Sequence, residues 1–120
     1  MKSYKKIITK YLKELGVPAN LNGYLYLRYA IELMIEDVSY INKITKRLYP
    51  DIAKQFNATA GSVERCIRVA IEASWYRGNK EAQNKVFGYS AAMKKCVPTN
   101  SEFIATIADY ISVYESEDQE

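Results

Sequence analysis

The sequence predicts an all-α protein, a compact bundle of about six helices that contains a helix-turn-helix. Three observations predict it. Apolar residues recur at helical spacing in most segments between breakers. No stretch combines β-branched alternation with hairpin-turn residues. Helix starts and stops are marked, by Pro50, Thr59 and the Thr99/Glu102 pair on one side and by Gly16, Gly78 and Gly88 on the other. At 120 residues the chain suits one domain with its own core. Residues 1–114 are assigned to that domain and 115–120, an acidic run, to a disordered tail.

The first helix is expected over 3–15. Ile7, Ile8, Tyr11, Leu12 and Leu15 form its apolar stripe, and lysines take the remaining positions. Gly16 and Pro18 end it, and 16–22 form a loop. A second helix over 23–38 has a broad apolar face of Leu25, Leu27, Ala30, Ile31, Met34, Ile35 and Val38, which makes it the central helix of the core. Residues 40–48 read as a short mixed helix with Ile41, Ile44 and Leu48 inward. Residues 79–87 form another short helix closed by Gly88, and 89–97 are a loop or a helical turn. The last helix opens at 98–102, where Thr99 and Glu102 have capping-box spacing, and continues through Ile104, Ile107 and Ile111.

The most informative stretch is 49–78. Pro50 sits at the first turn of a short helix, where a missing N–H costs nothing. Asn57 and Ala58 make a turn, and Thr59 is the N-cap of a helix over 59–77 that Gly78 stops. At about 100° per residue, Val63, Ile67, Ala70, Ile71 and Ser74 share one face, and Gly61, Arg65, Arg68 and Glu72 share the opposite one. Two arginines one turn apart near the start of the second helix match a recognition helix. An ordinary amphipathic helix with a solvated charged face matches the same pattern.

Charge is unevenly distributed. All 17 Lys and Arg and eight of the 14 acidic residues fall in 1–100, a surplus of nine positive charges, while 101–120 carry six acids and no base. A basic body suits a polyanionic partner. The chain has no histidine, which removes the commonest general base and metal ligand. It has no phosphate-binding glycine loop and no nucleophile elbow. Cys66 and Cys96 lack metal-site or disulfide spacing, so two free thiols in a reducing cytoplasm are expected. No apolar run is long enough to span a membrane, and the lysine-interrupted start, which lacks a small-residue cleavage site, is not expected to be a signal peptide. No enzyme, cofactor or metal is expected.

Five segments, LGVPANLNGYLYLRYAI (15–31), ITKRLYPDIAKQFNATA (44–60), VERCIRVAIEASWYRGN (63–79), FGYS (87–90) and PTNSEFIATIAD (98–109), together carry a resemblance. The chain resembles the C-terminal DNA-binding effector domain of the sporulation master response regulator of spore-forming Firmicutes, the stage zero sporulation protein A family. The resemblance implies a six-helix bundle whose third and fourth helices form the helix-turn-helix. It implies a sequence-specific transcription regulator of double-stranded DNA, binding tandem TGTCGAA-like boxes as a homodimer, in the bacterial cytoplasm at the nucleoid. The base-facing positions it implies are Glu64, Arg65 and Arg68, in the V-E-R-x-I-R segment, and Ser62.

By their chemistry, Arg65 is assigned to a guanine, Glu64 to a cytosine amine or to orienting an arginine, and Arg68 to a phosphate or the groove edge. Thr59, Lys54, Lys43, Lys46, Arg47, Lys94 and Lys95 are candidate backbone contacts, each also readable as a solubilising surface residue. The resemblance further implies an RNA polymerase sigma-factor contact over 78–91, with Gly78, Phe87 and Ala91 as candidates, and dimer contacts from Ile104, Ile107 and Ile111, which core packing explains equally well. The chain departs from the family at Ser62, where an arginine is usual, and at Val69, where histidine is frequent, so the preferred box is open to change. The resemblance also implies a phospho-receiver domain ahead of the effector, and the expectation here is an effector without one, either by nature or by its removal. The rival reading is a receiver-less interaction module that pairs with a full-length regulator or with polymerase and binds DNA weakly. Ser62 and the acidic end favour it, and Arg65, Arg68 and the basic body favour DNA.

Overall fold

The structure, a computed structural model, describes residues 3–88 and 96–115. Among them are six α-helices and no strand: α1 (Lys5–Glu14), α2 (Asn22–Glu36), α3 (Tyr49–Phe56), α4 (Ala60–Arg77), α5 (Lys80–Phe87) and α6 (Asn100–Tyr114). A 3₁₀ turn (Val38–Asn42) and a π-helical turn (Ile44–Leu48) link α2 to α3. The all-α bundle is therefore present as expected.

The core follows from the stripes. α2 is central and packs chiefly on α4 and α6, then on α1. Ile8 and Leu12 of α1, Leu27 and Ile31 of α2, Ile67 of α4 and Ile107 of α6 have lost essentially all solvent contact. Burying such side chains supplies most of the driving force, at about 1.5–3 kcal/mol each before entropy is counted. Ser74, on the apolar face of α4, is fully buried and donates its hydroxyl to the Leu15 carbonyl at 2.7 Å, which satisfies it.

Two close approaches fix where α4 lies. At Gly23 a Cβ would overlap the Cys66 carbonyl oxygen and come within 2.8 Å of the Ala70 Cβ, so α2 crosses α4 at backbone contact. At Gly78 a Cβ would meet the Ser74 carbonyl oxygen and lie 2.6 Å from that of Leu15. Gly78 has φ −69° and ψ 162°, so it leaves α4 in an extended and not a left-handed conformation, and these two carbonyls leave no room there for a side chain.

The structure corrects the sequence reading between α2 and α3. Val38 is 72 % exposed and Ile41 46 %, so both point outward, not inward. Leu25, inside α2, is 40 % exposed because it lies about 160° round the helix from Leu27, opposite the buried stripe of Leu27, Ala30, Ile31 and Met34. Helix α2 ends at Glu36, and Asp37, in an extended conformation, accepts the Ser39 N–H and starts a tighter turn. The 3₁₀ and π turns rotate side chains by steps other than 100°, so helical spacing no longer sorts faces. Leu48 is buried as expected. The isoleucines at 104, 107 and 111 are all fully buried, so core packing accounts for them and they are not available to a second chain. Glu115, assigned by sequence to the tail, accepts the Tyr11 hydroxyl at 2.7 Å and ties the end of α6 to α1. Residues 116–120 lie outside the described residues.

Candidate nucleic-acid interface

Helices α3 and α4 form the helix-turn-helix. Pro50 occupies the first turn of α3. Asn57 turns the chain with φ 55°, a left-handed conformation that asparagine tolerates better than most residues. Thr59 then caps α4 by accepting the Ser62 N–H at 3.2 Å. The two faces of α4 separate as the periodicity requires. Val63, Ile67, Ala70, Ile71 and Ser74 are buried, whereas Gly61, Glu64, Arg65, Arg68 and Glu72 are exposed.

That exposed face is flanked by the starts of two fifteen-residue helices. On one side α6 is fastened to it: the Asn100 side-chain amide donates to the Glu64 carbonyl at 3.1 Å and to the Tyr49 hydroxyl at 3.0 Å. Burial pushes the Tyr49 hydroxyl above its usual pKa. A surface groove of about 510 Å³ runs here, with Glu64, Arg68, Glu72 and residues 97–101 along it. On the other side lies the start of α2. Leu21, Gly23, Arg65, Cys66, Arg68 and Val69 surround a second hollow of about 340 Å³.

The predicted base-facing residues are brought together on one helix but not on one line. Arg65 stands at the outer pole, and its guanidinium makes a long 3.4 Å contact with the Gly61 carbonyl of its own turn. Glu64 faces the α6 side, and Arg68 stands between the two hollows and borders both. Ser62 is half-buried on the other shoulder, its hydroxyl 4.0 Å from the Cys66 sulfur.

Of the predicted backbone contacts, Thr59, Lys43, Lys46 and Lys54 are exposed. Arg47 is already engaged. It donates to Asp37 at 2.9 Å and to the Ser39 hydroxyl at 2.9 Å, and it stacks 4.2 Å from the Tyr40 ring centroid. The Tyr40 hydroxyl in turn donates to Asp51 of α3. Arg47 therefore braces the turns that lead into α3. Lys94, Lys95 and Ala91 lie outside the described residues. Gly78 is enclosed by the ends of α1 and α4, and Phe87 packs between Trp75 and Phe103, each ring centroid 5.3 Å away.

Sequence reasoning missed Asn100 and Gly23. Asn100 follows a capping threonine and so reads as helix start alone. Gly23 reads as the first residue of a helix, and nothing local announces that another backbone touches it. Among the described residues no cluster of three or more His, Cys, Asp or Glu could hold a metal ion, and no helix is long and apolar enough to cross a membrane.

Comparison with known proteins gives a family match. The family described as "sporulation initiation factor Spo0A C terminal" matches residues 8–111 of the 120-residue chain. The match takes in every α-helix except the first turn of α1 and the last residues of α6.

Proposed function

The chain belongs to the family of the sporulation initiation factor Spo0A C-terminal domain, a family of DNA-binding regulators and not of enzymes, and from that premise we propose that it reads a specific sequence of double-stranded DNA with α4 in the major groove. The observation that carries the proposal is the division of α4. One side is locked in the core by the Gly23 crossing and the Ser74–Leu15 bond, and the other presents Arg65 and Arg68 to solvent. A recognition helix needs that combination of rigidity behind and charge in front.

In this reading Arg65, at the pole, donates to guanine O6 and N7, a pair worth about 1–3 kcal/mol of discrimination. Glu64 accepts from a cytosine amine, Arg68 meets a phosphate or the groove edge, and Ser62 makes a weaker contact from the shoulder. Thr59, Lys43, Lys46 and Lys54 neutralise or bond phosphates and set register without reading bases. The target is a TGTCGAA-like box or a variant of it, in tandem copies, and the bound chain adjusts transcription with an RNA polymerase sigma factor as partner.

The test is fluorescence anisotropy of the chain with a duplex of two tandem TGTCGAA boxes and with a scrambled duplex, at two salt concentrations. The expected result is tighter binding to the boxes, a steep fall with salt from phosphate neutralisation, and loss of the preference in Arg65→Ala. Binding that is absent at low salt for both duplexes, and for duplexes drawn from a random pool, would refute the reading.

A further inference from the structure

Val69 breaks the polar character of the α4 groove face. It is 52 % exposed, and the other solvent-facing residues of the first three and a half turns are Gly61, Glu64, Arg65, Arg68 and Glu72. It lies four residues after Arg65, one turn further along the same side of the helix. Its isopropyl group borders the hollow that Arg65, Arg68 and Cys66 share with Leu21 and Gly23. The fold gains little from a valine there. A β-branched residue is a poorer helix former than alanine, and half of this one stays in water.

We infer that Val69 is a base-reading residue, packing on the C5-methyl group of a thymine in the major groove beside the base pair that Arg65 contacts. This rests on the major-groove reading of α4 proposed above. Thymine is the one standard base that shows a methyl group in that groove, and an aliphatic side chain is its natural complement. Valine in a helix holds essentially one χ1 rotamer, so its two methyls are already set and little freedom is lost on contact. The flanking guanidiniums cannot play this part, because they remain hydrated or bonded to acceptors. Four residues of α-helix advance about 6 Å, close to two base-pair steps at about 3.4 Å each. The thymine therefore falls within about two base pairs of the guanine that Arg65 reads.

The probe is the tightest duplex that the chain recovers from a random-sequence pool. Each thymine in it is replaced in turn by deoxyuridine, which removes the methyl and leaves every hydrogen-bonding group. Affinity is measured for the wild-type chain and for Val69→Ala. Wild type is expected to lose about threefold to fivefold at one position, the worth of one buried methyl. Val69→Ala should be indifferent to that replacement, within about 1.5-fold, while still preferring its duplex over a scrambled one through Arg65. Because the change is made on the DNA, the wild-type measurement is independent of any effect on folding. Binding that tolerates uracil everywhere, or a uracil penalty that persists undiminished in Val69→Ala, overturns this inference and leaves the groove reading standing. A chain that recovers no duplex overturns both.

Discussion

Replacing Gly23 with alanine should separate the two helices on which the interface depends. The added Cβ would overlap the Cys66 carbonyl oxygen and stand 2.8 Å from both the Cys66 carbonyl carbon and the Ala70 Cβ. Ordinary contacts of these kinds begin near 3.4 Å, so α2 and α4 must part by more than half an ångström. Neither can yield at a side-chain tip, because the obstruction is α4 backbone. Leu27 and Ile31 of α2 and Ile67 and Ile71 of α4 are all but closed to solvent, so the separation loosens packing along both helices. Overpacking of this kind costs about 1–3 kcal/mol, and rigid backbone neighbours put this site at the upper end. That is a large part of the roughly 5–15 kcal/mol that holds a domain of this size together. With a urea slope of about 2 kcal/mol per molar, the midpoint should fall by about 1 M or more. The assay is urea unfolding followed by far-ultraviolet circular dichroism, with Gly23→Ser as a second variant that carries the same Cβ. A midpoint within about 0.2 M of wild type for either variant would refute the backbone contact and the account of how α4 is held.

Three further outcomes are expected. Thr99→Ala removes the hydroxyl that receives the Glu102 N–H in the α6 capping box and should cost about 1 kcal/mol, read as a lower urea midpoint. Asn57→Ala puts an ordinary residue at φ 55° in the turn and should cost about 1 kcal/mol, whereas Asn57→Gly should be near neutral, a difference that thermal unfolding of the pair resolves. The Ser39 hydroxyl, then its N–H and then Arg47, hold the Asp37 carboxyl below its ordinary pKa. The unfolded chain thus binds that proton more readily, so the contribution is complete above the ordinary carboxylate range and is lost as pH falls through the folded value. Asp37→Asn should flatten the acid side of the stability profile, measured as urea midpoints from about pH 3 to pH 7.

How far the sequence could be read depends on how local each cause is. The caps at Thr59 and Thr99, the Pro50 start and the glycine after α5 act within a few residues, so they were legible directly. The division of α4 into a buried and an exposed face was legible because one regular helix keeps one angular step throughout. The same rule failed at Val38 and Ile41, where the backbone changes to a 3₁₀ turn and the step changes with it. The site shows the same division. Arg65 and Arg68 could be placed on the outer face from spacing alone, but the engagement of Arg47 could not. Its partners Asp37, Ser39 and Tyr40 come together only when two irregular turns fold on each other.

The sequence by itself determined the helical class, the positions of the helices and the composition of the face that α4 turns to solvent, because these follow from periodicity and from caps a few residues long. Tertiary structure alone decided that α2 meets α4 at Gly23, that Asn100 joins α6 to the carbonyl of Glu64, and that Val69 is left exposed among charges. Those outcomes depend on distances between residues 36 or more positions apart for Asn100 and Glu64, and still further apart for Gly23 and Cys66. No property of a single helix fixes such distances, since they are set by how all the apolar faces share one core.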